Sequence, residues 1–170
     1  PRDLTCKMRA SVLLLGPLLA RFGRAEIPQP GGCVLGRRSF DTHTDGFQQL
    51  GAQNFSREKF LKLILNKPKF HKTVLREMSV TATENLLMYA ASVPEVSEIH
   101  LAAMEPHVQD LCLFLKKMGV KINGVGSPHL KIKGRKKLLG VSHTVRSDYL
   151  EVGTLALAAA LTKGEVTIRK

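Results

Sequence analysis

A chain of 170 residues with 44% hydrophobic side chains buries a real core, which excludes a disordered polypeptide and leaves room for one domain and part of another. Twenty-six Lys and Arg against 14 Asp and Glu give a formal net charge of +12, so the favoured partners are anionic: nucleic acid, acidic lipid or phosphorylated small molecules. Three cysteines, Cys6, Cys33 and Cys112, form no CxxC pair and no zinc spacing with histidine, which fits a reducing, cytoplasmic setting without disulfides.

In chain order, Pro1 to Arg24 comes first, with five Arg or Lys, one acid and the apolar run VLLLGPLLA at Val12 to Ala20. The run is far short of the ~20 residues that span a bilayer, so no membrane partner is expected. Its composition also suits a secretory or mitochondrial address, which ranks below a helix of a folded domain. The run is expected to be a helix kinked at Pro17, because proline removes one backbone donor and clashes with the preceding turn. The chain opens on Pro and closes on TIRK directly after a strand-like run, and both ends are expected to be cuts within a longer protein.

Next comes PGGCVLGRRSFDTH, Pro30 to His43. A loop that only turns the chain needs one or two special residues. This one adds a cysteine, two arginines, an aspartate and a histidine. The field of Arg37 and Arg38 favours thiolate at Cys33 and makes it a reactive thiol. FQQLGA (Phe47 to Ala52) ends a helix. SVTATEN (Ser79 to Asn85) opens another, with Thr81 and Glu84 at capping-box spacing. Pro106 suits the first turn of a further helix whose Val108, Leu111, Leu115 and Met118 share one face, with Gly119 just past its end. VKINGVGSPHLKIKG alternates around a glycine-rich turn as a pair of strands, and KIKGRKK (Lys131 to Lys137) reads as a solvated basic turn. Asp148 and Glu151 form a looser capping box. His71, His100, His129 and His143 show no metal-ligand spacing, and each reads as a surface or core residue.

Three stretches share a plan of apolar helix, Gly or Pro break and short strand: MRASVLLLGPLLARFGRAEI, TATENLLMYAASVPEVSEI and EVGTLALAAALTKGEVTI. Val96 and Val166 lie 70 residues apart, Ala25 lies 71 before Val96, and Gly51 and Gly119 are separated by 68. A period near seventy that mixes helix with strand disfavours stacked helical repeats and implies sheets and helices packed about a pseudo-symmetry axis.

With KMRAS at Lys7 to Ser11, GPLLARFG at Gly16 to Gly23, PGGC and GxR at Pro30 to Arg38, DTH at Asp41 to His43, SVTATEN, Glu105 with Pro106, and DYLEVGT at Asp148 to Thr154, the sequence closely resembles the bacterial UDP-N-acetylglucosamine 1-carboxyvinyltransferases from end to end. The resemblance implies an α/β (α+β) fold, an inside-out α/β barrel of the enolpyruvate transferase type, built from βαβαββ repeats and incomplete in this chain. By this mapping residues 1–147 are most of the first domain, without its opening repeat. Residues 148–170 are the hinge and the start of the second domain, whose remainder is an expected partner.

The resemblance also implies roles. Cys33 matches a cysteine on a loop that closes over phosphoenolpyruvate, acts as general acid or in product release, and is alkylated by fosfomycin. Arg9 and Arg38 match arginines that grip phosphoenolpyruvate, work that suits the planar, always charged guanidinium fork. Ser39, Phe40, Asp41, Thr42 and His43 follow Arg38 in the stretch that lines the uridine site, with Ser39 where the family has proline. Ser79, Val80 and Thr81 match the turn before a helix that holds the diphosphate. Glu77 stands where some members have lysine, and that contact is not carried over. Glu105 matches an acid near the cleft. His107 and Tyr149 stand where some relatives have a glutamate and an arginine.

The implied reaction moves the enolpyruvyl group of phosphoenolpyruvate to the 3′-hydroxyl of UDP-N-acetylglucosamine, the opening of peptidoglycan synthesis, with no redox cofactor and no obligatory metal. The base, further arginines and a Lys-Asn pair are expected outside this chain, so the isolated chain is expected to have no turnover. A related transferase of the shikimate pathway is the nearest alternative, opposed by the PGGC loop with DTH. A basic module for RNA or DNA is the alternative of a different class. Nine Phe or Tyr, no Trp and no nucleic-acid motif oppose it, and no nucleic-acid partner is expected.

Overall fold

A computed structural model describes residues 2–31, 39–68 and 71–169 of the chain. The amino-terminal helix α1, Arg2–Lys7, leads into a 3-10 helix at Arg9–Leu14 and then into α2, Leu15–Phe22. The expected kink at Pro17 is absent. The chain changes from 3-10 to α-helix at Leu15, which puts Pro17 in the first turn of α2, where a backbone N–H has no intrahelical acceptor to lose. Gly23, at φ 66°, ends α2 in the left-handed region.

The chain continues through β1 (Arg24–Pro28), α3 (Asp41–Gln49), β2 (Gln53–Asn54) and β3 (Phe60–Ile64). The second half runs β4 (Lys72–Val74), α4 (Val80–Ala91), β5 (Val96–His100), α5 (Pro106–Lys117), β6 (Lys121–Asn123), β7 (His129–Lys133) and α6 (Tyr149–Thr162). The segment from β4 to β7 is thus one βαβαββ unit. Its sheet has the order β4-β5-β7-β6, with β4 parallel to β5 and the other pairs antiparallel. The segment from α2 to β3 repeats that order without a leading strand, and its sheet is β1-β3-β2. The seventy-residue period is therefore structural. Gly51 and Gly119, at φ 99° and 94°, follow α3 and α5 at equivalent places. No barrel closes among the described residues.

Alternation along the strands sets the layers. In β5, Ser97 and Ile99 face inward, and in β7, Leu130 and Ile132 do so. α4 lies inside. α4 is apolar or small around most of its circumference, packs against α2, α3, α5 and β7, and buries Leu86, Leu87, Ala90 and Ala91. A helix enclosed by other helices and by one sheet fits the expected arrangement.

Two further expectations fail. EVTI after α6 forms no strand, because no described strand lies alongside it to accept its backbone bonds. KIKGRKK is not a turn. β7 runs through Lys133, and Gly134 then passes so close to the backbone oxygens of Ala90, Ala91 and Val93 that only glycine fits. His143 is a core latch. Its Nε2 lies 3.2 Å from each oxygen of Asp110, to which the Arg146 amide also donates, and together they tie the segment before α6 onto α5.

Candidate functional site

A cavity of about 570 Å³ opens where the 3-10 helix and the amino ends of α3 and α4 converge. Arg9 contributes from the 3-10 helix, Ser39, Thr42 and His43 from the start of α3, and Ser79, Val80 and Thr81 from the start of α4. These seven residues, expected from three separate stretches of sequence, share one wall. Cys33 and Arg38 lie outside the described residues.

The amino end of α4 is built by Ser79. Its extended backbone (φ −79°, ψ 120°) stops the helix, its Oγ accepts from the Ala82 amide at 3.4 Å, and its carbonyl accepts from the Thr83 hydroxyl at 2.8 Å. This displaces the expected Thr81 cap by two residues. The first-turn amides of Val80 and Thr81 have no intrahelical acceptor and lie at the cavity wall, where the positive end of a helix favours an anion.

Thr81 is free for another task. Asn85, fully buried one turn further along α4, accepts the Gly16 amide on Oδ1 at 2.8 Å and donates from Nδ2 to the Val12 carbonyl at 2.9 Å. Those two bonds fix which end of the amide is which. Nδ2 also lies 3.0 Å from His43 Nδ1, which can therefore only accept. The proton of the neutral ring must then sit on Nε2, which donates to Thr81 Oγ1 at 3.1 Å. Thr81 has its acceptor side used and its hydroxyl proton directed elsewhere, and its open side is the cavity. Burial, and secondly the charge of Arg9, lower the His43 pKa from 6.5 to about 4, so the ring stays neutral at pH 7.

Arg9 is not the solvated helix residue that its position alone would suggest. Its guanidinium lies 4.0 Å from the centre of the buried Phe40 ring and donates to the Ser39 carbonyl at 3.4 Å, so ring and charge stack at the cavity edge. Ser39 Oγ accepts the Asp41 amide at 3.0 Å. Phe40 and Asp41 themselves face a neighbouring hollow of about 570 Å³ with Gln29, Asn54 and Arg57. Glu77 lines the first cavity and accepts from the Thr42 hydroxyl at 3.0 Å, so its carboxylate does not point away. Glu105 is elsewhere. It precedes Pro106 at the head of α5, with Oε2 buried and without a hydrogen-bond partner. Burial raises the pKa of Glu84, against an opposing effect of His107 and a reinforcing one of Glu105.

One guanidinium, the open end of a helix and a hydroxyl held as donor make an arrangement chemically suited to phosphate or carboxylate oxygens. The model of the EPSP synthase (3-phosphoshikimate 1-carboxyvinyltransferase) family matches residues 1–170. The chain belongs to the EPSP synthase family. Among relatives of this EPSP synthase family chain, the UDP-N-acetylglucosamine 1-carboxyvinyltransferase of Treponema denticola is 48% identical over 99% of the chain and 39% of its own length. That of Borreliella burgdorferi is 47% identical with the same coverage. The chain thus spans about two fifths of the curated relatives it matches. Among solved structures, the enolpyruvyl transferase NikO from Streptomyces tendae superposes with a TM-score of 0.75, at 21% identity, over 94% of this chain and 38% of that one. That likeness supports the fold.

Sequence reasoning missed Asn85, although an Asn four residues after Thr81, on a helix face shared with Ala82, Met88 and Tyr89, was the available signal. Its partners Gly16, His43 and Val12 are 69, 42 and 73 residues away, and only the packed fold joins them.

Proposed function

We propose that the protein containing this chain transfers the enolpyruvyl group of phosphoenolpyruvate to the 3′-hydroxyl of UDP-N-acetylglucosamine and releases phosphate. The observation that carries this reading is the cavity that joins Arg9, the amino end of α4 and the DTH stretch, beside relatives of that name at 47–48% identity. In the addition step the hydroxyl gives its proton to a base expected outside this chain and its oxygen bonds to C2 of phosphoenolpyruvate, while the C2–C3 double bond takes up a proton at C3, for which Cys33 is the proposed acid. In the elimination step C3 loses a proton and the C2–O bond to phosphate breaks. Both substrates are anions, so Arg9 and Arg38 lower the electrostatic cost of bringing them together, and Thr81 with the Val80 and Thr81 amides suits the diphosphate. Ser39, Phe40, Asp41, Thr42 and His43 would flank the uridine, directly or by shaping the wall. Glu105 is proposed as a cleft acid that meets the second domain, residues 148–170 being the passage to it. Glu77, bonded to Thr42, is the one acid among the described residues of the cavity wall, and it is not proposed as a diphosphate contact.

The family name keeps a second acceptor in view, 3-phosphoshikimate. Phosphate release by the whole protein separates the two. Turnover is expected with UDP-N-acetylglucosamine, is lost in Cys33→Ala, and is accompanied by fosfomycin alkylation mapped to the Cys33 peptide. Release with shikimate 3-phosphate alone would replace the reading. The 170-residue chain by itself is expected to give no release above the Cys33→Ala background.

A further inference from the structure

The outer face of the second sheet carries a cluster that the sequence spacing concealed. β5 and β7 pair so that His100 stands opposite His129 and Glu98 opposite Lys131. Strand periodicity puts Glu98 and His100 on one face, and the register brings the two imidazoles onto it as well. Their rings stack at 4.2 Å with 19° between planes. Oε2 of Glu98 lies 3.6 Å from His100 Nε2 and 3.7 Å from His129 Nε2, and the three atoms all fall within 4.8 Å of one another. His100 Nε2 is shielded from solvent and has no hydrogen-bond partner.

From this geometry we infer that Glu98, His100 and His129 form a binding site for a divalent transition-metal ion of the zinc class. Ligands about 2.0–2.2 Å from a tetrahedral ion sit roughly 3.3–3.6 Å apart, so the two measured edges need only small side-chain adjustments. Two imidazoles and one carboxylate leave the fourth position to water, and half-exposed His129 gives the ion a way in. Two separate facts oppose a site made by charge alone. Lys131 already holds Oε1 of Glu98 at 3.2 Å, and Lys72, Lys121 and Lys133 share the exposed face by register. The site therefore depends on imidazole as a ligand, which selects zinc, copper or nickel and rejects calcium and magnesium. The same argument gives Lys131 the opposite role. Its removal frees the second carboxylate oxygen and lifts a repulsive charge.

The test is zinc titration of the whole protein, without an affinity tag and with thiols blocked, by competition against a chromogenic chelator. Cobalt(II) absorption reports tetrahedral geometry. One equivalent is expected to bind. His100→Gln, His129→Gln and Glu98→Gln are each expected to weaken it at least roughly tenfold, Lys131→Met to strengthen it, and His107→Gln to leave it unchanged. All five positions are exposed or half-exposed, so folding is checked by circular dichroism and not put at risk. Absence of saturable zinc binding, calcium binding equal to zinc, or zinc binding that survives both histidine substitutions would overturn the assignment.

Discussion

At the scale of single residues, Asn85, His43 and Thr81 form one chain of hydrogen bonds in which each group has its donor or acceptor sense fixed by the one before. Asn85→Ala would leave the Gly16 amide and the Val12 carbonyl buried without partners, at a cost of about 3 kcal/mol. Thr81→Val keeps the shape and removes only the hydroxyl. It is expected to cost about 1–3 kcal/mol, because the buried His43 Nε2–H loses its acceptor, and, on the proposed function, to weaken UDP-N-acetylglucosamine binding about tenfold, read by calorimetry on the whole protein. The histidine supplies a pH signature. Its folded pKa, about 4, lies below the ordinary 6.5. Above pH 6.5 neither state holds the proton and stability is complete. As pH falls from 6.5 to 4 the unfolded chain takes up a proton that the folded ring refuses, and about 3 kcal/mol is lost. Urea unfolding across that window is expected to show the loss, and His43→Gln to remove its share. The sequence displayed His43 and Thr81 but not their relation. T-x-x-E spacing pointed to Thr81 as the cap, whereas Ser79, two residues earlier, has the extended backbone that a cap requires.

At the scale of elements, α2 and α4 touch through Gly16, where an added Cβ would strike the backbone of Asn85. No side chain can yield there, so Gly16→Ala forces the helices apart. The expected cost is about 1–3 kcal/mol, seen as a lower thermal midpoint. Because the same contact orients the Asn85 amide, the proposed nucleotide affinity should fall as well, which a purely distant packing change would not produce. Elements with a local cause were legible: Pro106 and Gly119 bracket α5, and Gly124 and Gly126, both at φ 80°, turn β6 into β7. Those decided by partners were not. Whether the run at Val12 to Ala20 kinks depended on a 3-10 segment packed against α4, and the convergence of His100 with His129 depended on strand register.

At the scale of the whole molecule, α6 differs from every other long helix. It buries no residue, and Leu150, Leu155, Leu157 and Leu161 are all exposed, with Val166 and Ile168 beyond them. A 14-residue helix is marginal in water without a packed face, and one that is apolar on most sides needs a partner on most sides. The Asp148 cap, accepting the Leu150 amide at 2.8 Å, supplies only about 1 kcal/mol. We propose on this ground that residues 148–170 begin a second unit; the relatives of which this chain spans 39% are long enough to hold one. In the whole protein, amides from Leu150 to Thr162 should exchange slowly with solvent. In the isolated 170-residue chain the same amides should exchange nearly as fast as an unfolded peptide, while those of α4 remain protected. Equal protection of α6 in both samples would show that the helix needs no second unit, and the boundary near residue 147 would then have to move.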